Sequence, residues 1–143
     1  MTLYVSSGIV TGSSSSISMG VLAVTYQVKL SSIEYIGVNS DIVTISMYSG
    51  AGLTSGTSVT PRPLRQSANA SAATSRLNPT VSGTQTILRS TQNIPTGVQS
   101  YQAPADVIVN AGSAIHILLT SASIVTNRYI AMYFDELHLS RSS

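Results

Sequence analysis

The sequence predicts an all-β fold, a sandwich or barrel of about eight strands, and two observations point to it. Strand-like segments are frequent and short, and Gly, Pro, Asn and Ser separate them. Few windows place apolar residues three and four positions apart, while β-branched residues occur throughout, which disfavours helices. A chain of 143 residues has the usual size of one domain and can bury a core without cross-links.

Eight segments carry the strand signal. They are Leu3–Val10, Gly20–Leu30, Ser32–Val38, Asp41–Ser49, Thr84–Ser90, Asp106–Asn110, Ala114–Ser121 and Asn127–Leu139. Period-two alternation is cleanest in three of them, where it predicts one buried face. The predicted faces carry Val24, Tyr26, Val28 and Leu30, then Val43, Ile45 and Met47, then Ile130, Met132 and Phe134. Between two strands, Asn110–Ser113 predicts a tight reversal, because Asn and Gly tolerate positive φ.

The segments between the strands differ in composition. Ser49–Thr60 and Thr91–Pro104 hold several glycines and prolines, so both are expected to be long irregular loops. Gln66–Leu77 is rich in Ala and has room for one or two helical turns before Asn78-Pro79 stops them.

The domain organisation follows from this pattern. Residues 1–18 are predicted to form an extended N-terminal arm or first strand, and residues 19–143 a single β-sandwich domain. The first segment, Leu3–Ser18, is low in charge and rich in Ser, so it could also add as a strand to another chain.

Charge is unusually scarce in this chain. Charged residues make up 8% of it, against about 25% in an ordinary domain, and Ser and Thr take their place. Hydroxyls cost less to desolvate than ions, so such a surface suits permanent protein contact. The net charge of +2 comes from scattered basic residues, which predicts no nucleic-acid binding. With no apolar run of about 18 residues and no signal peptide, we expect a soluble chain that does not bind membranes.

Catalytic and metal-binding patterns are nearly absent. His116 could act as a general base with a serine and Asp41, Asp106 or Asp135, but no nucleophile motif is present, so we expect it to be structural. His138 is likewise expected to be structural. The acids Asp135 and Glu136 point to opposite faces of a strand, so they are expected to form ion pairs that close the last strand rather than bind metal. The sequence therefore predicts no enzyme and no cofactor.

Candidate interface residues are basic or aromatic. The arginines could face acidic groups of a partner, and tyrosines on the outer side of the last strand could lie in an interface or on an ordinary half-buried sheet face. Tyr101, in the second predicted loop, could instead stack on a sugar ring. The candidates are Arg62, Arg65, Arg76, Arg89, Tyr101, Tyr129 and Tyr133.

Three stretches resemble the capsid decoration, or cement, proteins of bacteriophages, which are built on a jelly roll. The first is the glycine-rich loop ending in Val59–Leu64 together with Ala68–Arg76. The second is Val107–Ile117, and the third is Asn127–Glu136. Tail-fibre and baseplate β-sandwich domains share a weaker likeness. The resemblance implies a jelly roll, so the expected fold is an antiparallel, jelly-roll-like sandwich. The two long loops and the short helix are expected from composition alone.

The same resemblance implies a function. A homotrimer would sit on the outer face of the virion capsid and bridge copies of the major capsid protein, after assembly in the host cytoplasm. Two alternatives remain at this stage. One is a receptor- or glycan-binding domain of a tail fibre or baseplate, and the other is an enzyme that depends on His116.

Overall fold

The fold is an all-β sandwich, as the sequence predicts. The computed structural model describes residues 2–10, 14–37, 41–64, 70–93, 97–104, 106–125 and 128–137. These residues form two antiparallel sheets that pack face to face, with no helix among them. Consequently, no helix in the described residues could span a membrane.

Twelve strands are formed by the described residues, six in each sheet. The first sheet contains β1 (Thr2–Val10), β3 (Gln27–Gly37), β6 (Arg62–Pro63), β9 (Gly97–Gln102), β10 (Ile108–Val109) and β12 (Arg128–Leu137). The second contains β2 (Ser14–Leu22), β4 (Asp41–Thr54), β5 (Thr57–Val59), β7 (Thr74–Leu77), β8 (Thr80–Asn93) and β11 (Ala114–Val125).

The strand order places the first strand, β1, beside the last strand, β12. The first sheet runs β10-β3-β12-β1-β6, with β9 beside β10 on the same side of β3, and the second runs β5-β7-β2-β11-β4-β8. The long strands β1 to β4 alternate between the sheets, as do β8, β9, β11 and β12, whereas β4 and β8 pair within the second sheet. This order is compatible with the jelly-roll-like expectation. Within residues 1–18, β1 pairs with β12 and the start of β2 pairs with β11 of the same chain.

The core lies between the sheets and follows the period of two. Ile115, Ile117 and Leu119 of β11 have no exposed surface, and neither do Ile130 and Met132 of β12. Burying a side chain of this size contributes about 1.5–3 kcal/mol. The buried face predicted for the last strand is thus confirmed, as it is for the Val43 and Ile45 positions of β4.

The predicted strand Gly20–Leu30 is wrong, because the chain changes sheets inside it. β2 ends at Leu22 in the second sheet and β3 begins at Gln27 in the first. At the corner, Val24 is 50% exposed and Tyr26 is 37% exposed, so they do not share the buried face of β3. The alternation of residue types continues through the corner, and no glycine or proline marks it.

The two loops and the helix predicted from composition are also wrong in the described residues. β4 continues through the glycines to Thr54, and β5 follows within the segment expected to be irregular. β8 and β9 occupy most of the second predicted loop, and the described part of the Ala-rich segment ends in strand β7. In each case a neighbouring strand supplies hydrogen-bond partners that local composition does not reveal.

The paired ends of β4 and β8 bend over the outer face of the second sheet. Bulges interrupt their pairing between Ser49 and Gly52, where Gly83 adopts a φ of 119°. The bend places Leu53 on Gly20, at which a Cβ atom would lie 2.9 Å from Leu53 Cδ2. This overhang, formed by the paired ends of β4 and β8, provides one wall of a groove on the outer face of the second sheet.

Glu136 is buried near the end of the last strand. It is 1% exposed, and its Oε2 accepts hydrogen bonds from Ala72 N at 2.8 Å, Ala73 N at 3.0 Å and Ser71 Oγ at 2.5 Å. Tyr4 also donates to this carboxylate, and burial followed by Glu136 raises the pKa of its phenol. Through these hydrogen bonds Glu136 fastens the loop before β7 to the sandwich.

Candidate interaction surfaces

The predicted arginines do not form one basic patch. Arg62 is exposed on β6 of the first sheet, whereas Arg76 lies on β7 of the second sheet and its Nη1 donates to Ser55 O at 3.2 Å. Arg89 lies on β8, at the opposite side of the second sheet from β7. Arg65 falls outside the described residues. The arginines that the sequence groups together therefore lie on different strands of the structure.

Arg89 and Tyr101 do meet, across the gap between the two sheets. The guanidinium Cζ lies 5.6 Å from the centre of the Tyr101 ring, a cation–π distance. Burial raises the pKa of Tyr35, and the nearby Arg89 charge acts in the opposite direction. Tyr101 is only 9% exposed and covered by Arg89, so its ring does not offer a free surface for stacking on a sugar.

Tyr129 and Tyr133 lie together on the outer face of the first sheet. Tyr133 donates to Glu34 Oε1 at 3.2 Å, and burial followed by the Glu34 charge raises the pKa of both phenols. Register pairs Tyr133 with Val5 and Val5 with Arg62, so these three lie in one row across the sheet. We call this surface, made of Tyr129, Tyr133, Glu34, Val5 and Arg62, the tyrosine face.

In each sheet, one side ends in a short strand and the opposite side has a longer open edge. In the described part of the chain, β5 has three residues, while β6 and β10 have two each, and Pro63 further blunts β6. β8 has fourteen residues and pairs only with β4, and β9 has six and pairs only with β3. These two open edges lie on the same side of the sandwich, as the contact between Arg89 and Tyr101 shows.

The β8 edge has the composition of a pairing surface. Most of its described side chains are exposed, and Arg89 is its only charged residue. Ile87 is 55% exposed beside the edge. Long, exposed edges without charges tend to pair with another chain. Sequence reasoning missed this feature, because an edge is defined by strand order rather than by local pattern.

A groove of about 530 Å³ lies on the outer face of the second sheet. We call it the His116 groove, and its polar lining consists of Ser16, Ser18, Tyr48, Asn78 and His116. Asn78 follows β7 and lies beside β2, where its N donates to Ser18 O at 2.7 Å and its Oδ1 accepts from Ser18 N at 2.8 Å. Leu118, Pro79 and Val81 complete the lining.

His116 points away from the core, as its parity predicts, yet it is only 8% exposed. Its ring meets Tyr48 edge-on, with 5.9 Å between the centres. Burial lowers the pKa of the imidazole from 6.5 to about 4, so it is uncharged at neutral pH. No carboxylate lines the groove, and Asp41, Asp106 and Asp135 are not among its residues. Among the residues that the structure describes, no carboxylate of the groove lining is therefore placed to orient His116.

No group of three or more potential metal ligands occurs among the described residues. His138 lies outside them. No known family model matches this chain, and no curated protein or solved structure matches it significantly.

Proposed function

We propose that this chain is a non-enzymatic structural protein that binds the outer surface of a bacteriophage capsid as a homotrimer. The observation that carries the proposal is the open, almost uncharged edge formed by β8. Such an edge favours association with another chain, because its backbone groups can complete a sheet across an interface.

The two open edges support a threefold arrangement. Because β8 and β9 lie on the same side of the sandwich, three copies can meet around an axis with β8 of each beside β9 of the next. Such head-to-tail contacts close into a ring when the rotation allows it. β9 carries no charged residue, so neither edge opposes pairing by charge.

The tyrosine face is the surface that we propose for the major capsid protein. It faces away from the core, so the proposed ring leaves it free, and its phenols are held uncharged by burial and by Glu34. Tyrosine suits an interface because its ring is apolar and its hydroxyl can still form a hydrogen bond. Arg62, at the end of the row, could pair with an acidic group of that partner.

Replacing Ile87 with lysine is expected to reduce the solution mass from three chains to one. The side chain is 55% exposed, so the fold should tolerate the change within about 0.5 kcal/mol, while a lysine beside the edge opposes strand pairing. Size-exclusion chromatography with light scattering measures the mass.

The matched control is Thr57→Lys. It adds the same charge to the exposed three-residue β5 edge, on the other side of the same sheet. This variant should keep the mass of three chains. An I87K protein that keeps the wild-type mass would contradict the role of β8, and a wild-type mass of one chain would contradict self-association.

A further inference from the structure

The His116 groove offers a set of polar and apolar side chains that the proposed self-association does not use. It lies on the outer face of the second sheet, between the strand floor of β2 and β11 and the overhang that carries Pro79 and Val81. Its volume, about 530 Å³, falls within the range of about 300–1,000 Å³ that is usual for small-ligand sites.

The imidazole of His116 lacks a hydrogen-bond partner among the described residues. Its side chain is more than nine-tenths buried, and it lines the groove. A neutral imidazole carries one donor and one acceptor, and buried polar groups normally have partners. A group in the groove can therefore form a hydrogen bond with this side chain.

The other polar side chains of the lining are uncharged. Ser16, Ser18 and Tyr48 contribute hydroxyls, Asn78 contributes an amide, and none of the lining residues is acidic or basic. Asn78 Oδ1 is occupied by Ser18 N, which fixes the position of the amide. An ionic ligand would lose its hydration without gaining a countercharge in this groove.

The groove has apolar as well as polar lining residues. Leu118, Pro79 and Val81 offer aliphatic contact, and the Tyr48 ring stands edge-on to His116. A sugar ring has matching surfaces, with C–H groups on its faces and hydroxyls around its rim. A purely apolar ligand would leave the buried imidazole of His116 without a hydrogen-bond partner.

We infer that the His116 groove binds an uncharged saccharide, with one or two hexose units held by His116, the serine hydroxyls and the Leu118 side. This inference goes beyond the proposed structural function and holds for a monomer as well as for a trimer.

The test is binding to an array of neutral oligosaccharides of glucose, galactose, mannose and N-acetylhexosamines, with sialylated and sulfated glycans on the same slide. Wild-type protein is expected to bind neutral glycans only. His116→Phe keeps an aromatic ring but removes the hydrogen-bonding nitrogens, so binding should weaken about tenfold or more. Leu118→Arg should abolish binding, because it fills the groove with a charged side chain.

The matched control is Ile42→Arg, which adds the same charge to an exposed site on the outer face of the same sheet, outside the groove. It should bind as the wild type does. Thermal unfolding of each variant shows whether it is folded. If L118R is unfolded, the binding of H116F alone tests the inference. The inference is overturned if no neutral glycan binds at millimolar concentration in saturation-transfer NMR, if acidic glycans are preferred, or if H116F binds as tightly as wild type.

Discussion

Replacing Glu136 with leucine is expected to lower the free energy of unfolding by about 4 kcal/mol, because it removes a buried acceptor from several donors. The Oε2 atom alone accepts hydrogen bonds from Ala72 N, Ala73 N and Ser71 Oγ. Without it, the two amides and the hydroxyl lose this acceptor at a site where Glu136 is 1% exposed. Urea denaturation followed by circular dichroism measures the loss.

Two further variants separate the charge from the position. Glu136→Gln keeps one acceptor oxygen but loses the charge-assisted bonds, so about 2 kcal/mol should be lost. Asp135→Asn removes the neighbouring carboxylate, which is more exposed and points to the outer face, and should cost less than about 0.5 kcal/mol. Equal losses for E136L and D135N would contradict the fastening role of Glu136.

The second large effect is a loss of stability as the pH falls from about 6.5 to 4. Burial lowers the pKa of His116 to about 4 in the folded protein, while the unfolded chain has the ordinary value of 6.5. Between these values the unfolded state binds more protons, so stability rises with pH in this window and is lost as the pH falls. The difference corresponds to about 3 kcal/mol, fully lost below pH 4.

His116→Gln isolates this contribution from the carboxylates that titrate in the same range. Subtracting its urea-unfolding profile from that of the wild type should leave a slope of about 1.4 kcal/mol per pH unit between pH 6.5 and 4. Among the described residues that line the groove, Tyr48 is the only other titratable one. The matched control, His138→Gln, removes the other histidine of the chain. If H116Q and wild type show the same pH dependence, the assignment to His116 is wrong.

The sequence predicts the sandwich because its longest strands alternate cleanly. Ile115 and Ile117 on β11, like Ile130 and Met132 on β12, reveal their buried faces without any knowledge of the neighbouring strands. The corner at Val24 could not be found in this way, since the alternation continues while the chain moves from one sheet to the other.

Composition gave wrong predictions of loop and helix where pairing with distant parts of the chain determines the structure. The glycines between Ser49 and Thr54 suggest a loop, yet β8 pairs with that backbone and keeps it extended. The alanines before Thr74 favour helix, but Glu136, more than sixty residues later, binds the amides of Ala72 and Ala73. Neither partner can be recognised from the local sequence.

The candidate sites were predicted only in part, for similar reasons. The parity of His116 indicates an outward direction, but its burial depends on the overhang that carries Pro79 and Val81. Arginines that are close in sequence, such as Arg62 and Arg76, belong to different sheets. Tyr129 and Tyr133 share a face because they are spaced by an even number on one strand, which the sequence does show.

The most direct test of the proposed function is a cryo-electron microscopy map of the virion whose genome encodes this chain. The proposal predicts clusters of three copies on the outside of the shell, with β8 of each copy beside β9 of the next and the tyrosine face against the major capsid protein. Density for the chain only at the tail fibre or baseplate, or as separate single copies, would contradict it.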